Sequence, residues 1–249
     1  MSKVHPTAVV DRHAELADDV VVGPYAIVEA GVILGDGCVL HPHAVVRGPA
    51  VLGAHNVVHP FAVLGGQPQA KRHVGGSAGV QVGADNVFRE HVTVHGGTEA
   101  GATRIGAGNL FMVGSHVAHD VVVGSHCVLS NGAQLAGHSA VEDWVTFGGL
   151  SGVTQHVRVG ESAFVAATAA CERDVPPFVV VQGDRARVRG VNVVGLRRRG
   201  VPEASVAALE RAVYKLWLSH TPRARALVDV SREDPYVARL VEALLRARG

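Results

Sequence analysis

The chain has little of what marks several large classes of protein. Aromatic residues make up 4% of its 249 residues, and its formal net charge is +1. No apolar run approaches the roughly 20 residues that a membrane-spanning helix needs, and the near-neutral charge argues against generic nucleic-acid binding. The N-terminal segment has no hydrophobic signal core. These absences predict a cytoplasmic protein that neither spans a membrane nor binds nucleic acid.

Cysteine is also scarce. Cys38, Cys127 and Cys171 lie far apart and form no CxxC pair, so the sequence indicates neither a disulfide framework nor a thiolate zinc site. Each occupies a repeat position where a small apolar residue would serve, and we therefore expect three buried thiols.

What the chain has in abundance is glycine, with 30 residues, and a six-residue repeat. An aliphatic residue or Phe followed by a small residue recurs nine times, and the small residues are separated by 12, 18, 30, 23, 18, 12, 12 and 12 positions. The pairs are Val22-Gly23, Leu34-Gly35, Leu52-Gly53, Val82-Gly83, Ile105-Gly106, Val123-Gly124, Leu135-Ala136, Phe147-Gly148 and Val159-Gly160. Hexads of this kind predict a parallel β-helix with an aliphatic core. A Rossmann-type fold is excluded because no helical periodicity interrupts the hexads before about Val201.

Two stretches depart from the repeat. The 23-residue step between Gly83 and Gly106 is one short of a multiple of six, which predicts a bulge or a deletion at residues 96–101. Residues 65–79 keep the phase but lose their aliphatic side chains. We expect two loops, and loops on a rigid scaffold often carry binding residues.

After Gly200 the periodicity becomes helical. Pro202 marks a helix start, and apolar residues recur at helical spacing through Ser219, followed by two further helices. The sequence thus predicts a β-helix domain over residues 1–183, and a connector with a helical C-terminal domain over residues 184–249. An arginine cluster at the junction suits phosphate groups or an acidic protein partner; it comprises Arg185, Arg187, Arg189, Arg197, Arg198 and Arg199.

The chemistry is predicted at His116, His119 and Asp120, joined by His138 about one coil later. A carboxylate beside a histidine fixes its tautomer, and such a base can take a proton from an alcohol. One interpretation is acyl transfer with His119 as base and the Gly137 N–H as oxyanion donor. The other is a catalytic zinc site made of the three histidines. Spacing does not separate them, and we interpret His95, on the coil before the bulge, as structural.

Several motifs together carry a resemblance over nearly the whole chain. They are His116-Val117-Ala118-His119-Asp120, Leu135-Ala136-Gly137-His138, Asp174-Val175-Pro176-Pro177, Gln182-Gly183, Gly190-Val191-Asn192 and Gly195-Leu196-Arg197-Arg198-Arg199-Gly200. With these motifs the chain resembles the UDP-N-acetylglucosamine acyltransferases that begin lipid A biosynthesis. The resemblance implies a left-handed parallel β-helix and a homotrimer with substrate clefts between subunits. It also implies transfer of a 3-hydroxyacyl group from acyl carrier protein to the sugar 3-hydroxyl, without metal or cofactor.

The resemblance also assigns roles to residues of this chain. His119 would be the general base, Asp120 its orienting partner and Gly137 the oxyanion donor. Ala166 and Ala167 would gauge the length of the acyl chain. The implied substrate contacts are Gln69, Arg72, His116, His138, Gln155, Asn192, Arg198 and Arg199.

Four positions depart from the family pattern. Ala70 and Val194 stand where acidic residues are usual, and Thr154 and Arg185 stand where histidines are usual. The acyl length and the acceptor therefore stay open, including a UDP-sugar with a 3-amino group. A zinc-dependent hydratase of the γ-carbonic-anhydrase type and a non-catalytic relative are the remaining alternatives.

Overall fold

The computed structural model describes residues 2–71, 73–98 and 101–246 of the chain. The described residues form 28 short strands followed by helices. In chain order the strands are β1 (Lys3–Val4), β2 (Val9–Val10), β3 (Glu15–Leu16), β4 (Val21–Val22), β5 (Ile27–Val28), β6 (Val32–Leu34), β7 (Val39–Leu40), β8 (Val45–Val46), β9 (Ala50–Leu52), β10 (Val57–Val58), β11 (Val63–Gly66), β12 (Val80–Val82), β13 (Val87–Phe88), β14 (Thr93–His95), β15 (Thr103–Ile105), β16 (Leu110–Phe111), β17 (His116–Val117), β18 (Val122–Val123), β19 (Val128–Leu129), β20 (Gln134–Leu135), β21 (Ala140–Val141), β22 (Thr146–Phe147), β23 (Gly152–Val153), β24 (Arg158–Val159), β25 (Phe164–Val165), β26 (Ala170–Cys171), β27 (Val179–Gln182) and β28 (Arg187–Val191).

Each coil of the chain passes through three sheets in turn, as the β-helix prediction required. Sheet A has 11 strands and begins with β1 and β4, sheet B has 9 and begins with β2 and β5, and sheet C has 8 and includes β3 and β6. Neighbouring strands are parallel, except that β28 pairs antiparallel with β27. We name the turns between the sheets the A–B, B–C and C–A corners. The mainly β fold made of hexapeptide repeats is confirmed.

The strand register shows where the coils are irregular. Val21 pairs with Val39, an offset of one regular 18-residue coil. Leu52 pairs with Val82 and Val82 with Ile105, so the fourth and fifth coils are longer. Both coils extend at the B–C corner, between β11 and β12 and between β14 and β15. The irregularity at residues 96–101 is therefore an insertion and not a deletion.

The three sheets enclose a three-sided prism. Aliphatic side chains stack along its axis and fill it. Leu34, Leu52 and Leu64 are almost completely buried, and burying a side chain of this size contributes about 1.5–3 kcal/mol. All three cysteines are buried and free, which confirms the expectation of thiols in apolar positions. Burial raises the pKa of the Cys127 thiol to about 12.

A ladder of buried asparagines interrupts this core at the C–A corner. Asn56, Asn86 and Asn109 end the third, fourth and fifth coils and are at most 2% exposed. Asn86 Nδ2 donates to Asn56 Oδ1 at 3.0 Å, and Asn109 Nδ2 donates to Asn86 Oδ1 at 2.8 Å. Because buried amides need partners, the ladder ties together the ends of the two longer coils.

The helices follow β28, and one of them was not foreseen. They are α1 (Val193–Arg198), α2 (Glu203–Val213), α3 (Arg223–Asp229) and α4 (Pro235–Arg246), with a π-helical turn at Tyr214–Leu218 after α2. The first α-helix, α1, lies inside the predicted connector, while α2 begins after Pro202 as expected. The predicted boundary between residues 183 and 184 lies in the turn between β27 and β28. No helix in the described parts of the chain is long and apolar enough to cross a membrane.

Candidate active site

The predicted chemical residues lie at the B–C corner. His116 is on β17 in sheet B, and His119 and Asp120 form the turn that follows it. Gly137 and His138 occupy the same turn one coil later, where the His138 N–H donates to the His119 carbonyl at 3.1 Å. The expectation that the predicted residues meet on neighbouring coils agrees with this geometry.

His119 and Asp120 form a hydrogen-bonded dyad. His119 Nδ1 donates to Asp120 Oδ2 at 2.7 Å, and the two side chains are only 9% and 7% exposed. A proton fixed on Nδ1 leaves the lone pair on Nε2, which is the arrangement of a histidine base oriented by a carboxylate.

Asp120 is held on every side. The Thr98 N–H donates to Oδ1 and the Thr98 hydroxyl donates to Oδ2, both at 2.9 Å. The Asp120 N–H donates to Thr103 Oγ1 at 2.9 Å. Burial alone would raise the pKa of Asp120, but the hydrogen bonds from His119 and Thr98 outweigh it and lower that pKa below its ordinary value. The carboxylate is therefore ionised at neutral pH.

Gly137 packs directly on the imidazole of His119. A Cβ at this position would lie 2.7 Å from Cε1 and 2.8 Å from Nε2 of His119, so a side chain would displace the ring. Among the described residues, no acceptor is bonded to the Gly137 N–H. A free backbone N–H beside a histidine base can stabilise an oxyanion.

His138 is held between two rings. Its edge meets His119 at 5.1 Å between centroids, and its face stacks on His156 at 4.8 Å. His138 Nε2 lies 3.7 Å from Asp120 Oδ2. His156, which sequence analysis did not single out, supports the orientation of His138 from the next coil.

His95 lies next to the residues of this site. Its ring meets that of His116 edge-on at 4.8 Å, and it is 8% exposed. Burial, reinforced by His116 and His119, lowers the pKa of His95 to about 4, and burial lowers the pKa of His116 as well. Its Nδ1 is buried without a hydrogen-bond partner in the described structure. The sequence signal for this proximity is the 23-residue step, because it sets the offset at which β14, which carries His95, pairs with β17, which carries His116.

The two predicted loops lie at the same corner and touch each other. Gly79 and Gly97 form an antiparallel bridge between them. Gln69 is exposed on the first loop, while Arg72 lies outside the described residues. Gln155 is exposed at this corner two coils beyond His119.

Other predicted residues lie elsewhere. Ala166 and Ala167 follow β25 at the A–B corner, so the full width of sheet B separates them from His119. Asn192 is buried: its Oδ1 accepts from the Gly195 N–H at 3.1 Å, and its Nδ2 donates to the Ser162 carbonyl at 2.9 Å. This amide already caps α1 and ties it to the prism.

The arginine cluster divides into paired and unpaired members. Arg197 pairs with Glu203 at 2.8 Å and Arg199 with Glu161 at 2.7 Å. Arg199 also donates to the Ser162 hydroxyl, and Arg239 of α4 pairs with Glu161. Arg185, Arg187, Arg189 and Arg198 are exposed and have no ion pair within the described chain.

The geometry does not form the three-histidine zinc site considered above. His119, Asp120 and His138 each place one potential ligand atom within 4.8 Å of the others. His116 is absent from this group, and its Nδ1 instead lies 2.8 Å from Thr93 Oγ1. The acid in this group already accepts three hydrogen bonds from protein donors.

Family models match both parts of the chain. A model described as "Udp N-acetylglucosamine O-acyltransferase; Domain 2" matches residues 174–249. The bacterial transferase hexapeptide model matches residues 13–48, 31–66 and 102–137.

Curated relatives match over somewhat more than half of the chain. An acyl-[acyl-carrier-protein]–UDP-N-acetylglucosamine O-acyltransferase from Paracoccus denitrificans is 43% identical over 144 residues, covering 57% of this chain and 55% of the relative. A relative of the same name from Nautilia profundicola is 38% identical over 148 residues, covering 59% and 57%. These alignments span little more than half the length of the curated relatives.

Solved structures match over nearly the full length. The UDP-N-acetylglucosamine O-acyltransferase of Moraxella catarrhalis superposes with a TM-score of 0.92 at 34% identity, covering 99% of this chain and 98% of that one. The UDP-N-acetylglucosamine acyltransferase of Campylobacter jejuni gives a TM-score of 0.92 at 33% identity, covering 99% and 97%. The hexapeptide repeats, the family match at residues 174–249 and the similarity to these structures over nearly the full length show that the chain belongs to the UDP-N-acetylglucosamine acyltransferase family.

Proposed function

We propose that the protein transfers a 3-hydroxyacyl group from acyl carrier protein to the 3-position of UDP-N-acetylglucosamine, the first step of lipid A biosynthesis. The observation that carries this proposal is the His119–Asp120 dyad with the backbone of Gly137 packed on the histidine ring. The names of the relatives support the substrates.

In the proposed mechanism, His119 Nε2 takes the proton from the sugar 3-hydroxyl as its oxygen attacks the thioester carbonyl. The Gly137 N–H donates to the oxyanion that forms. The intermediate then collapses, the carbon–sulfur bond breaks, and the imidazolium returns its proton to the departing thiolate. Asp120 stabilises the imidazolium between these steps.

The remaining predicted roles follow the residues' positions. His116, His138 and Gln155 lie at the dyad's corner and would contact substrate, as would Gln69 from the first loop. Exposed Arg198 would meet an anionic group of a substrate. Arg72, Arg199 and Asn192 are also proposed contacts, although the side chains of the last two already bind Glu161 and Ser162.

A homotrimer would explain why the proposed site residues lie far apart in a single chain. The proposed acyl-length residues Ala166 and Ala167 are a sheet width away from His119 in one chain. A cleft between two subunits can bring an A–B corner of one copy to a B–C corner of the next. Three buried free thiols support a reducing compartment such as the cytoplasm.

The decisive experiment is mass spectrometry of products formed from a panel of 3-hydroxyacyl carrier-protein thioesters. UDP-N-acetylglucosamine and its 3-amino analogue serve as acceptors, because Ala70 and Val194 leave the acceptor open. We expect an ester at the 3-position. Amide formation alone would favour the amino sugar, and no product with any pair would refute the proposal.

The matched variants are His119→Ala and His13→Ala. His119→Ala removes the base, so we expect kcat to fall roughly 10³-fold. His13 is an exposed histidine of the first coil, 64% exposed and hydrogen-bonded to Asp11, and its variant should keep wild-type rates. Retained activity in His119→Ala would contradict the mechanism, and elemental analysis that found stoichiometric zinc would favour the hydratase.

A further inference from the structure

The proposed reaction gives a role to the first loop, through Gln69, but none to the five-residue insertion that lengthens the fifth coil. It extends the coil between β14 and β15, directly beside the dyad. Its described part ends at Thr98 and resumes at Gly101. The only side chain of this described part that reaches the dyad is that of Thr98.

We propose that Thr98 is a positioning residue for the reaction: it locks the carboxylate of Asp120 in the rotamer that orients His119. This inference rests on the proposed function, because the dyad must be the reacting base for its orientation to matter. Thr98 would touch neither substrate nor reacting atoms.

The contact geometry is that of a clamp. One carboxylate oxygen accepts from the Thr98 N–H and the other from the Thr98 hydroxyl, both at 2.9 Å. A carboxylate bound at both oxygens by one residue cannot rotate without breaking two charge-assisted hydrogen bonds. His119 Nδ1 then finds Oδ2 at a fixed place, 2.7 Å away.

Thr98 is itself held by the first loop. The Gly97 N–H donates to the Gly79 carbonyl at 2.9 Å, and the Ala78 N–H donates to the Gly97 carbonyl at 2.8 Å. The Gly96 N–H donates to the Gly66 carbonyl at 2.8 Å. A Cβ at Gly96 would overlap the Ser77 hydroxyl, and one at Gly97 would overlap the Gly101 carbonyl. The double glycine therefore allows the close approach that fixes Thr98.

The hydroxyl can be removed without changing the shape of the side chain. Thr98→Val deletes the bond to Oδ2 but keeps the backbone bond to Oδ1, so Asp120 becomes loosely held and not released. Thr98→Ser keeps the hydroxyl and loses only a methyl group. Thr7→Val is the matched control. The Thr7 hydroxyl, in the first coil, accepts a hydrogen bond from the backbone N–H of Tyr25 in the second coil at 3.2 Å, far from the dyad.

The experiment measures kcat, KM and the low-field proton resonance of the His119 Nδ1–H in the full-length protein. In Thr98→Val we expect kcat to fall about tenfold, from the loss of one hydrogen bond to a charged group, with KM for the UDP-sugar within twofold. The low-field resonance should move upfield or broaden. Thr98→Ser and Thr7→Val should match the wild type in all three quantities.

The resonance is read without substrate, so it separates this proposal from the reaction itself. A wild type without transferase activity would refute the proposed function, while a changed resonance in Thr98→Val would still support the clamp. An unchanged resonance and kcat in folded Thr98→Val would overturn it. If Thr98→Val melts far below the wild type, Thr98→Ser decides: loss of kcat and resonance in a folded serine variant would show that the hydroxyl is not what matters.

Discussion

Buried polar side chains lie at two corners of the β-helix, in and next to the two longer coils, and the two corners use them differently. At the C–A corner, every amide of the Asn56–Asn86–Asn109 ladder is hydrogen-bonded to another asparagine or to the backbone. At the B–C corner, His95 Nδ1 has no partner in the described structure, and His119 keeps a free Nε2 beside Gly137.

The difference separates groups that hold the fold from groups that perform chemistry. A fully satisfied ladder stabilises the coil ends and offers nothing to a ligand. A base and an oxyanion donor must keep unused hydrogen-bonding capacity until substrate arrives. The insertions lie at the B–C corner, which we call the reactive corner, and the asparagines hold the same coils in register at the C–A corner.

The largest expected effect comes from Asp120→Asn at the reactive corner. An amide of the same size cannot accept all three hydrogen bonds, because the Thr98 N–H donates to Oδ1 whereas His119 and the Thr98 hydroxyl donate to Oδ2. If the amide oxygen accepts from the Thr98 N–H, the NH₂ group faces Nδ1 and favours the wrong tautomer of the histidine. We expect kcat to fall roughly 10³–10⁴-fold with an unchanged melting temperature. Steady-state kinetics and a thermal melt check this, and a large loss of stability with intact kcat would reverse the assigned roles of the two corners.

Asn86→Ala should have the opposite pattern. Asn86 binds Asn56 and Asn109 as well as the Gly106 carbonyl, and its removal leaves several buried groups unpaired. We expect a loss of about 3 kcal/mol in the free energy of unfolding, with kcat of the folded protein within twofold. Denaturant unfolding gives the first quantity. A kcat loss without destabilisation would show that the ladder serves the chemistry.

Local patterns predicted most of this molecule. The hexads predicted the β-helix because each repeat depends only on its own residues and on its nearest neighbours along the axis. His119 and Asp120 could be paired from the sequence because they are adjacent in it, and Gly137 and His138 because they lie one regular coil further on.

Contacts across the irregular coils could not be predicted in this way. The meeting of His95 with His116 and of Thr98 with Asp120 depends on how many residues each insertion adds and on where the chain re-enters the sheet. The use of Asn192 as a helix cap was also missed, because α1 is short and has no extended apolar pattern. Each miss concerns a contact between segments whose offset departs from one coil, or a helix too short to give a period.

The smallest expected effect concerns His95 at the reactive corner, whose buried Nδ1 has no hydrogen-bond partner among the described residues. Its pKa is about 4 in the folded protein, because burial and the neighbouring His116 and His119 disfavour its charge, whereas an unfolded chain has its ordinary value near 6.5. Between these values the unfolded state binds the extra proton, so stability falls as the pH drops from about 6.5 towards 4. Lowering the pH from 7.5 to 5 should reduce the free energy of unfolding in both proteins. We expect this reduction to be roughly 1–2 kcal/mol smaller in His95→Gln than in the wild type. Urea unfolding at both pH values measures the difference, and equal losses would mean that His95 is already protonated, or already paired, in the folded protein.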